Sequence, residues 1–400
     1  MRDKSSFLGT RRAATMVSAI LTLTILVLSL GACNRQNPPV RFASTSDPGV
    51  NNAPINNPAP SGAGVPAVSY ADLVSRVSPA VITIHSETRV RAPQQYPFLD
   101  DPMFRKFFDQ RRAPQQPERR ASGLGSGVII TTDGYILTNH HVIDGAEQIK
   151  VDLNDNRTLD AKLVGSDPPS DLAVLKIDAT NLPVLALGDS DKVRVGDVVL
   201  AIGNPLGIGQ TVTMGIISAK GRQTRLQGSG SFEDFLQTDA PMNQGNSGGA
   251  LVSTNSELIG INSQILSPSG GSIGIGFSIP SNMARTITDM LVKNGKVRRG
   301  QLGVVVVPAN SEPAKELGIK DNRGVVVAEV SSGGGAERAG LRKGDVITAF
   351  NGAQVDDANA FRNQIASTAP GTEVTLTILR DGKEQQVRAS LGELKPQPER

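Results

Sequence analysis

The sequence predicts a mainly β protein made of two successive β units. Short runs rich in β-branched residues recur between turn signals from about Ser69 to Pro280, and again from Gly300 to about Leu394. This is the pattern of a barrel or sandwich followed by a smaller sheet domain. The 400 residues include 42 Gly and 25 Pro but only 4% aromatic residues, and that composition favours turn-rich β architecture over a helical bundle.

Residues 1–33 come first and form a candidate export segment. Basic residues precede an uncharged apolar run at 13–32, and Cys33 follows directly after this run. A helix of that length, about 30 Å at about 1.5 Å per residue, could cross a bilayer. The small residues before Cys33 also resemble a lipobox, in which the thiol carries a lipid. A lipidated Cys33, an uncleaved anchor and a plain export signal remain alternatives, and all three place the remaining chain outside the cytoplasmic membrane.

Residues 34–68 predict a flexible tether, because they are rich in Pro, Asn, Ala, Gly and Ser and hold hardly any large apolar side chain. Residues 69–297 predict the first folded unit. Its strand-like runs are 81–85, 127–143, 148–153, 171–177, 197–203, 211–218 and 257–266. The alternation fails at 86–122, which predicts a long functional insertion. Beyond Pro280, apolar residues at helical spacing predict a closing helix with Ser281 as its N-cap and Gly295 at its end.

Residues 298–394 predict the second folded unit, and residues 395–400 a frayed tail. The unit has strand-like runs near 303–307, 324–330, 373–379 and 385–391, with a helix near Asp357 to Ser367.

The segment 245–249, Gly-Asn-Ser-Gly-Gly, is the strongest local signal of chemistry. Its glycines allow a tight turn in which backbone N–H groups point at a developing oxyanion while Ser247 presents its hydroxyl. A serine nucleophile needs a base and an orienting carboxylate, for which His141 at the end of a β run and Asp171 at the start of the next strand are the candidates. The chain order His, Asp, Ser, here with spacings of 30 and then 76 residues, is the order found in chymotrypsin-like double β-barrels.

Four segments together resemble the HtrA (Deg-type) family of serine proteases over about residues 69–394. They are TNHHVI (138–143), SDPPSDLAVLKI (166–177), TDAPMNQGNSGGALV (238–252) and GGSIGIGFSIP (270–280). The resemblance implies a chymotrypsin-like double β-barrel protease domain followed by a single PDZ domain. It implies that His141 is the catalytic histidine, with His140 at a position where the family often has Asn. It also implies a homotrimer or higher multiple assembled through the region of Tyr70, with the 86–122 insertion reaching between subunits.

The same fold predicts where substrate binds. Backbone N–H groups of Gly245, Asn246 and Ser247 would form the oxyanion hole. Residues just before the nucleophile would form the floor of the primary specificity pocket, and the 273–277 segment its walls. The predicted pocket residues are Pro241, Met242, Ile273, Ile275 and Phe277. Because no acidic side chain lies at the floor, the pocket should accept a small or medium aliphatic side chain.

The second unit resembles a PDZ domain of the Deg type. Its loop of Gln301, Leu302, Gly303 and Val304 matches the segment that captures a C-terminal carboxylate, with the following strand pairing to the peptide. Phe361 and Ile365 share one helix face, and they would either line the groove or belong to the domain core.

Several classes of function are disfavoured. A formal net charge of +3 is too small to argue for a nucleic-acid partner. One cysteine and three histidines leave little for a metal site, and the glycine-rich segment at 332–335 lacks the Lys-Ser/Thr of a P-loop. We therefore expect no cofactor, no metal and no need for ATP.

The interpretation is a membrane-tethered serine endopeptidase of the periplasm or cell envelope that degrades unfolded or misfolded proteins in a stress response. Its PDZ domain would recruit C-terminal peptides. Two alternatives remain open. One is a regulatory protease that a PDZ-bound peptide activates against a membrane-bound regulator, and the other is a chaperone-like protein that binds clients without cutting them.

Overall fold

The computed structural model describes residues 69–90, 119–204, 209–224, 231–267, 271–316 and 323–395. These residues belong to a unit that begins at Ser69. The predicted export segment, the tether and Cys33 lie outside the described residues. Within the described ranges, no helix is long and apolar enough to cross a membrane.

Six antiparallel strands close the first barrel, in the order β1-β2-β3-β6-β5-β4. They are β1 (Val81–Val90), β2 (Arg119–Ile129), β3 (Tyr135–Thr138), β4 (Gln148–Asp152), β5 (Thr158–Asp167) and β6 (Leu172–Ile177). The alternation of the sequence places Ile82, Ile84, Ile129 and Ile136 inside the barrel, where each side chain is almost completely buried.

Six further strands close the second barrel, in the order β10-β11-β12-β9-β8-β7. They are β7 (Val198–Gly203), β8 (Thr211–Arg222), β9 (Phe235–Thr238), β10 (Ala250–Ser253), β11 (Leu258–Ile265) and β12 (Gly276–Pro280). The chymotrypsin-like double β-barrel predicted from the sequence is confirmed.

Helices close the space between the two barrels. Helix α1 (Ala71–Val77) precedes the first barrel, α2 (His140–Ile143) follows β3, and α3 (Ser281–Asn294) follows the second barrel. One hydrophobic cluster joins side chains of α1 and α3 with strands of both barrels. Because the barrels share this core, side chains at their junction are held in fixed positions relative to each other.

The closing helix ends as predicted but begins differently. Gly295 is the C-cap with φ 68°, a left-handed conformation that glycine adopts at little cost. The prediction of Ser281 as N-cap is wrong, because Pro280 occupies that position without a side-chain cap. The completely buried Ser281 hydroxyl instead donates to the carbonyl of Gly188 at 2.8 Å.

The PDZ domain has a main sheet in the order β14-β15-β16-β18-β19, with β17 beside β16 and a separate pair of β13 and β20. Its strands are β13 (Gly300–Gln301), β14 (Val304–Pro308), β15 (Val325–Val330), β16 (Val346–Phe350), β17 (Ala353–Gln354), β18 (Glu373–Arg380), β19 (Lys383–Ser390) and β20 (Gly392–Glu393). Its helices are α4 (Glu312–Glu316), α5 (Gly335–Arg338) and α6 (Ala358–Ser367). The Asp357 side chain caps α6 by accepting from the N–H groups of Asn359 and Ala360.

Candidate active site

His141 lies in the single helical turn α2, not at the end of a strand as the sequence predicted. Asn139 is the last residue with an extended backbone, and the helical turn begins at His140. Asp171 then closes the turn: its carbonyl accepts from the His140 N–H at 3.2 Å, and its side chain accepts from the His141 N–H at 3.1 Å. Asp171 is therefore joined to the turn that carries His141 through backbone groups as well as through the two side chains.

Asp171 is a buried carboxylate aimed at the imidazole. It follows a 3₁₀ turn, Pro168–Ser170, and adopts a left-handed backbone conformation with φ 55° and ψ 39°. Its side chain is only 3% exposed, and the Nδ1 atom of His141 lies 2.9 Å from each carboxylate oxygen. A carboxylate in this position fixes the imidazole tautomer that leaves Nε2 free to accept a proton.

Ser247 lies in the turn between β9 and β10, at the mouth of the second barrel. Its hydroxyl donates to the carbonyl of Ser263 at 3.0 Å, and no hydrogen bond joins it to His141 among the described residues. Catalysis therefore requires the Ser247 hydroxyl to turn from Ser263 to His141, as is common in substrate-free sites.

Ser263 is a functional residue that the sequence interpretation missed. Its side chain is buried and its hydroxyl donates to Asp171 Oδ2 at 2.8 Å, while its carbonyl holds Ser247. Ser263 of β11 thus links Ser247 to Asp171, which in turn holds His141. A signal was available, because Asn262, Ser263 and Gln264 form a polar run within a strand whose other residues are apolar or glycine, and buried polar residues need partners.

Two backbone N–H groups close to the nucleophile in the chain have no protein acceptor among the described residues. The N–H groups of Gly245 and Ser247 donate to no protein acceptor within the described part of the chain, whereas the Asn246 N–H donates to the Asn243 carbonyl at 3.0 Å. Gly248, with φ 82°, is required here because a Cβ would overlap the carbonyl of Ser126. Of the three residues expected at the oxyanion hole, Gly245 and Ser247 thus keep N–H groups that no described protein acceptor engages, whereas the N–H group of Asn246 is engaged.

A cavity of about 260 Å³ opens next to Ser247. Its lining residues are Met242, Asn243, Gln244, Asn246, Ser247, Asn262, Ser263, Gln264 and Ile265. Of the predicted pocket residues, only Met242 lines it. The 273–277 segment was expected at the wall, but Ile275 and Phe277 pack against the hydrophobic core and the Ile273 side chain is exposed. β11 forms that wall instead.

The predicted peptide-binding residues of the PDZ domain fall into two groups. Leu302, Phe361 and Ile365 are buried in the core of the domain. The N–H groups of Leu302 and Gly303 donate to no protein acceptor among the described residues, and Gln301 is exposed on β13. Strand β14, which begins at Val304, pairs with β15 on one side only and leaves its other edge open.

Among the described residues, no group of three or more His, Cys, Asp or Glu side chains could hold a metal ion. The candidate Ser, His and Asp side chains lie where the two barrels meet, and a PDZ domain follows the second barrel. This combination defines the class of the protein, a trypsin-like serine endopeptidase with one PDZ domain.

Comparison with known proteins identifies the family. A family model described as a trypsin-like peptidase domain matches residues 125–261, and one described as a PDZ domain matches residues 271–391. The chain is 48% identical over 332 residues to the "Probable periplasmic serine protease do/HhoA-like" of Haemophilus influenzae, covering 81% of this chain and 71% of the relative. It is 47% identical over 329 residues to the "Periplasmic pH-dependent serine endoprotease DegQ" of Escherichia coli, covering 82% of this chain and 70% of that protein.

Solved structures agree. The chain resembles "HtrA-type protease AlgW with decapeptide" with a TM-score of 0.65 and 48% identity, covering 82% of this chain and all of that one, 100%. The chain belongs to the HtrA family of serine endoproteases.

Proposed function

We propose that this chain is an ATP-independent endopeptidase of the periplasm that cleaves unfolded or exposed polypeptide segments. The observation that carries the proposal is the chain of hydrogen bonds that runs from His141 through Asp171 and Ser263 to Ser247. The relatives named as periplasmic endoproteases support the compartment.

The proposed chemistry proceeds through an acyl-enzyme. His141 Nε2 removes the proton of the Ser247 hydroxyl as Oγ attacks the substrate carbonyl, and Asp171 stabilises the imidazolium that forms. The N–H groups of Gly245 and Ser247 donate to the oxyanion. His141 then protonates the leaving amine, and water hydrolyses the ester.

The shape of the cavity supports cleavage after small or medium aliphatic residues. Its described lining holds no charged side chain, and Met242 and Ile265 supply apolar surface. Gly276 keeps room for Met242, since a Cβ at that position would overlap the Met242 methyl group. A valine side chain suits a cavity of this size and polarity, whereas a lysine would bury an unpaired charge.

The PDZ domain is proposed to bind C-terminal peptides. The unengaged N–H groups of Leu302 and Gly303 suit a terminal carboxylate, and the open edge of β14 suits the rest of the peptide as an added strand. The solved AlgW structures hold a decapeptide and a tripeptide, which supports the proposal by family likeness.

Casein degradation tests the protease assignment. We expect the wild-type chain to degrade casein and Ser247→Ala to lose this activity by at least about 10³-fold, because the nucleophile is absent. Ser75→Ala, which changes an exposed serine of α1, should match the wild type. Equal loss of casein in the Ser247→Ala sample would remove the assignment, and client binding without cleavage by the wild type would favour the chaperone alternative.

A regulatory protease is the second candidate. The observation that favours it is the contact of the PDZ domain with the segment before Asp171: Arg299 donates to Asp167, four residues upstream. A peptide on the PDZ domain could therefore influence the protease domain. If a C-terminal peptide leaves kcat/KM for casein unchanged, this candidate is excluded.

Assembly and attachment complete the proposal. We expect a homotrimer that involves the region of Tyr70, which packs against the shared core of the two barrels, and light scattering should give three times the monomer mass. Mass spectrometry of the mature N-terminus distinguishes the attachments: a lipid on Cys33 indicates a lipoprotein, and an intact start indicates an anchor.

A further inference from the structure

A serine of the first barrel contacts the nucleophile turn of the second. Ser126 lies on β2 between two glycines, and its side chain is completely buried. Neither the candidate triad nor the specificity cavity includes it. Its position at the junction of the barrels places it directly behind the turn that carries Ser247.

Ser126 holds two carbonyl groups of that turn. Its hydroxyl donates to the Gly245 carbonyl at 2.7 Å, and its backbone N–H donates to the Ser247 carbonyl at 2.8 Å. These two carbonyls flank Asn246. One residue of the first barrel therefore holds the backbone at both ends of the segment 245–247, which is called the oxyanion turn below.

The direction of the hydroxyl is determined by a third contact. The Asn204 N–H donates to Ser126 Oγ at 2.9 Å, so this oxygen already accepts one hydrogen bond. Since a hydroxyl has a single proton, that proton points at Gly245. The Ser126 carbonyl is also held, because it accepts from Thr138 Oγ1 at 2.8 Å.

These contacts fix one peptide plane at both ends. The peptide between Gly245 and Asn246 has its carbonyl held by Ser126 and its N–H held by Asn243. Because the peptide is planar, its orientation determines the backbone angle ψ of Gly245, whose φ is 97°. Glycine changes conformation at little cost, so the direction of its own N–H group depends on such outside restraints.

We propose that Ser126 is a positioning residue for the oxyanion hole: it orients the N–H groups of Gly245 and Ser247 toward the transition state. The inference rests on the proposed function, since it assigns a role within the same site. Ser126 touches no substrate atom and acts through the turn alone.

The test compares two buried serines. Ser126→Ala removes the hydroxyl that holds Gly245, and Ser281→Ala removes an equally buried hydroxyl that also donates to a backbone carbonyl, on α3. Both full-length variants are purified and assayed with a peptide p-nitroanilide that has valine at the cleaved position. Inhibition constants are measured for a peptide aldehyde, which forms an oxyanion on Ser247, and for the matching peptide alcohol, which does not.

For Ser126→Ala we expect kcat to fall about 10- to 100-fold with KM within about 3-fold, less than the roughly 100- to 1,000-fold loss that follows removal of an oxyanion donor itself. The aldehyde should bind more weakly by the same factor as kcat, and the alcohol as in the wild type. Ser281→Ala should keep kcat within about 2-fold, even if its Tm falls equally.

Two results would overturn the inference. One is a Ser126→Ala enzyme whose kcat equals that of Ser281→Ala, and the other is equal weakening of aldehyde and alcohol. If Ser126→Ala does not fold, Ser126→Cys replaces it, and its weak thiol donor should give a smaller loss of the same kind. Absence of any Ser247-dependent cleavage in the wild type would instead contradict the proposed function itself.

Discussion

The backbone at Asp171 is strained, and the strain is offset by hydrogen bonds. A left-handed conformation costs a non-glycine residue roughly 1–2 kcal/mol, and here the Asp171 carbonyl accepts from Asn139 Nδ2 at 2.9 Å and from the His140 N–H at 3.2 Å. The carboxylate meanwhile accepts from the His141 ring and from Ser263. Both the backbone and the side chain of Asp171 thus help to hold the His141 imidazole in position.

Replacing Asp171 by Asn tests this residue. We expect kcat on the peptide substrate to fall by about 10³- to 10⁴-fold with little change in KM, because an amide can donate to Nδ1 and so stabilise the wrong tautomer. Asp178→Asn, at an exposed position of the chain, is the matched control and should keep full activity. A kcat within tenfold of the wild type would show that Asp171 does not orient the base.

The sequence suggested the three candidate catalytic residues, but not the residues that hold their segments in place. Ser247, His141 and Asp171 belong to segments with unusual composition and a known order. Ser126 looks like an ordinary strand residue. Ser263 lies in a polar interruption of its strand, but the sequence does not show what it contacts, because the partners of these two serines lie 119 and 92 positions away in the chain. Sequence spacing carries no information about such contacts, which only closure of the two barrels creates.

At the scale of elements, helix α6 of the PDZ domain packs against the segment 231–234 of the protease domain. Asn359 Nδ2 and Asn363 Nδ2 both donate to the Glu233 carbonyl, at 2.6 and 2.9 Å. The guanidinium groups of Arg299 and Arg362 lie over the Phe232 ring, 4.4 and 5.0 Å from its centroid. Hydrogen bonds and cation–π contacts therefore join the two domains.

The ion pair between Arg299 and Asp167 should be important for stability. Both side chains are more than nine-tenths buried, and the contact is bidentate. Arg299→Met leaves a buried, unpaired carboxylate, which costs about 3–5 kcal/mol, so we expect a clear drop in Tm by calorimetry. Adding Asp167→Asn should restore part of the loss, because the buried charge is then gone.

Arg157→Met is the control for that experiment, since Arg157 forms an ion pair with Asp155 in which both side chains are half exposed. Its Tm should hardly change, because exposed pairs contribute little. An Arg299→Met chain that unfolds at the wild-type temperature would mean that the buried pair does not stabilise the junction.

Across the whole molecule, the periodic apolar runs predicted a barrel or sandwich followed by a smaller sheet unit, and the resemblance to the HtrA family specified the double barrel and the PDZ domain. The sequence interpretation missed β5, β9, β10 and β12 in the two barrels, and β13, β16, β17 and β20 in the PDZ domain. Strands β9 and β10 have only four residues each, too short for an alternation to be recognised, and β12 is buried along its whole length, so it shows no alternation at all. The helical turn at His141 was missed because its apolar residues continue those of β3.

Protonation of Asp234 should couple the stability of the molecule to pH. Burial raises its pKa to about 6 from 3.8, and the carboxylates of Asp191 and Asp357 add to the shift while Lys220 opposes it. Because the folded pKa is the higher one, the protonated carboxyl stabilises the fold below about pH 4, and this contribution is lost as the pH rises to about 6. At about 1.4 kcal/mol per pKa unit, its upper bound is about 3 kcal/mol.

Asp234→Asn should therefore be more stable than the wild type at pH 7 and equal to it near pH 4. Thermal unfolding at pH 4, 5, 6 and 7 measures the difference in Tm, which should grow between pH 4 and 6 and then stay constant. Asp178→Asn should show no such trend. A difference in Tm that is independent of pH would refute the coupling.

The division of the site between two barrels also bears on how the enzyme is made. His141 and Asp171 belong to the half that the ribosome completes first, and Ser247 follows 76 residues after Asp171. A nascent or truncated chain that stops short of the second half contains the candidate base, His141, and its carboxylate partner, Asp171. It lacks the serine nucleophile that attacks the peptide bond. Synthesis itself thus withholds the ability to digest neighbouring proteins until the second barrel has been translated and has folded against the first.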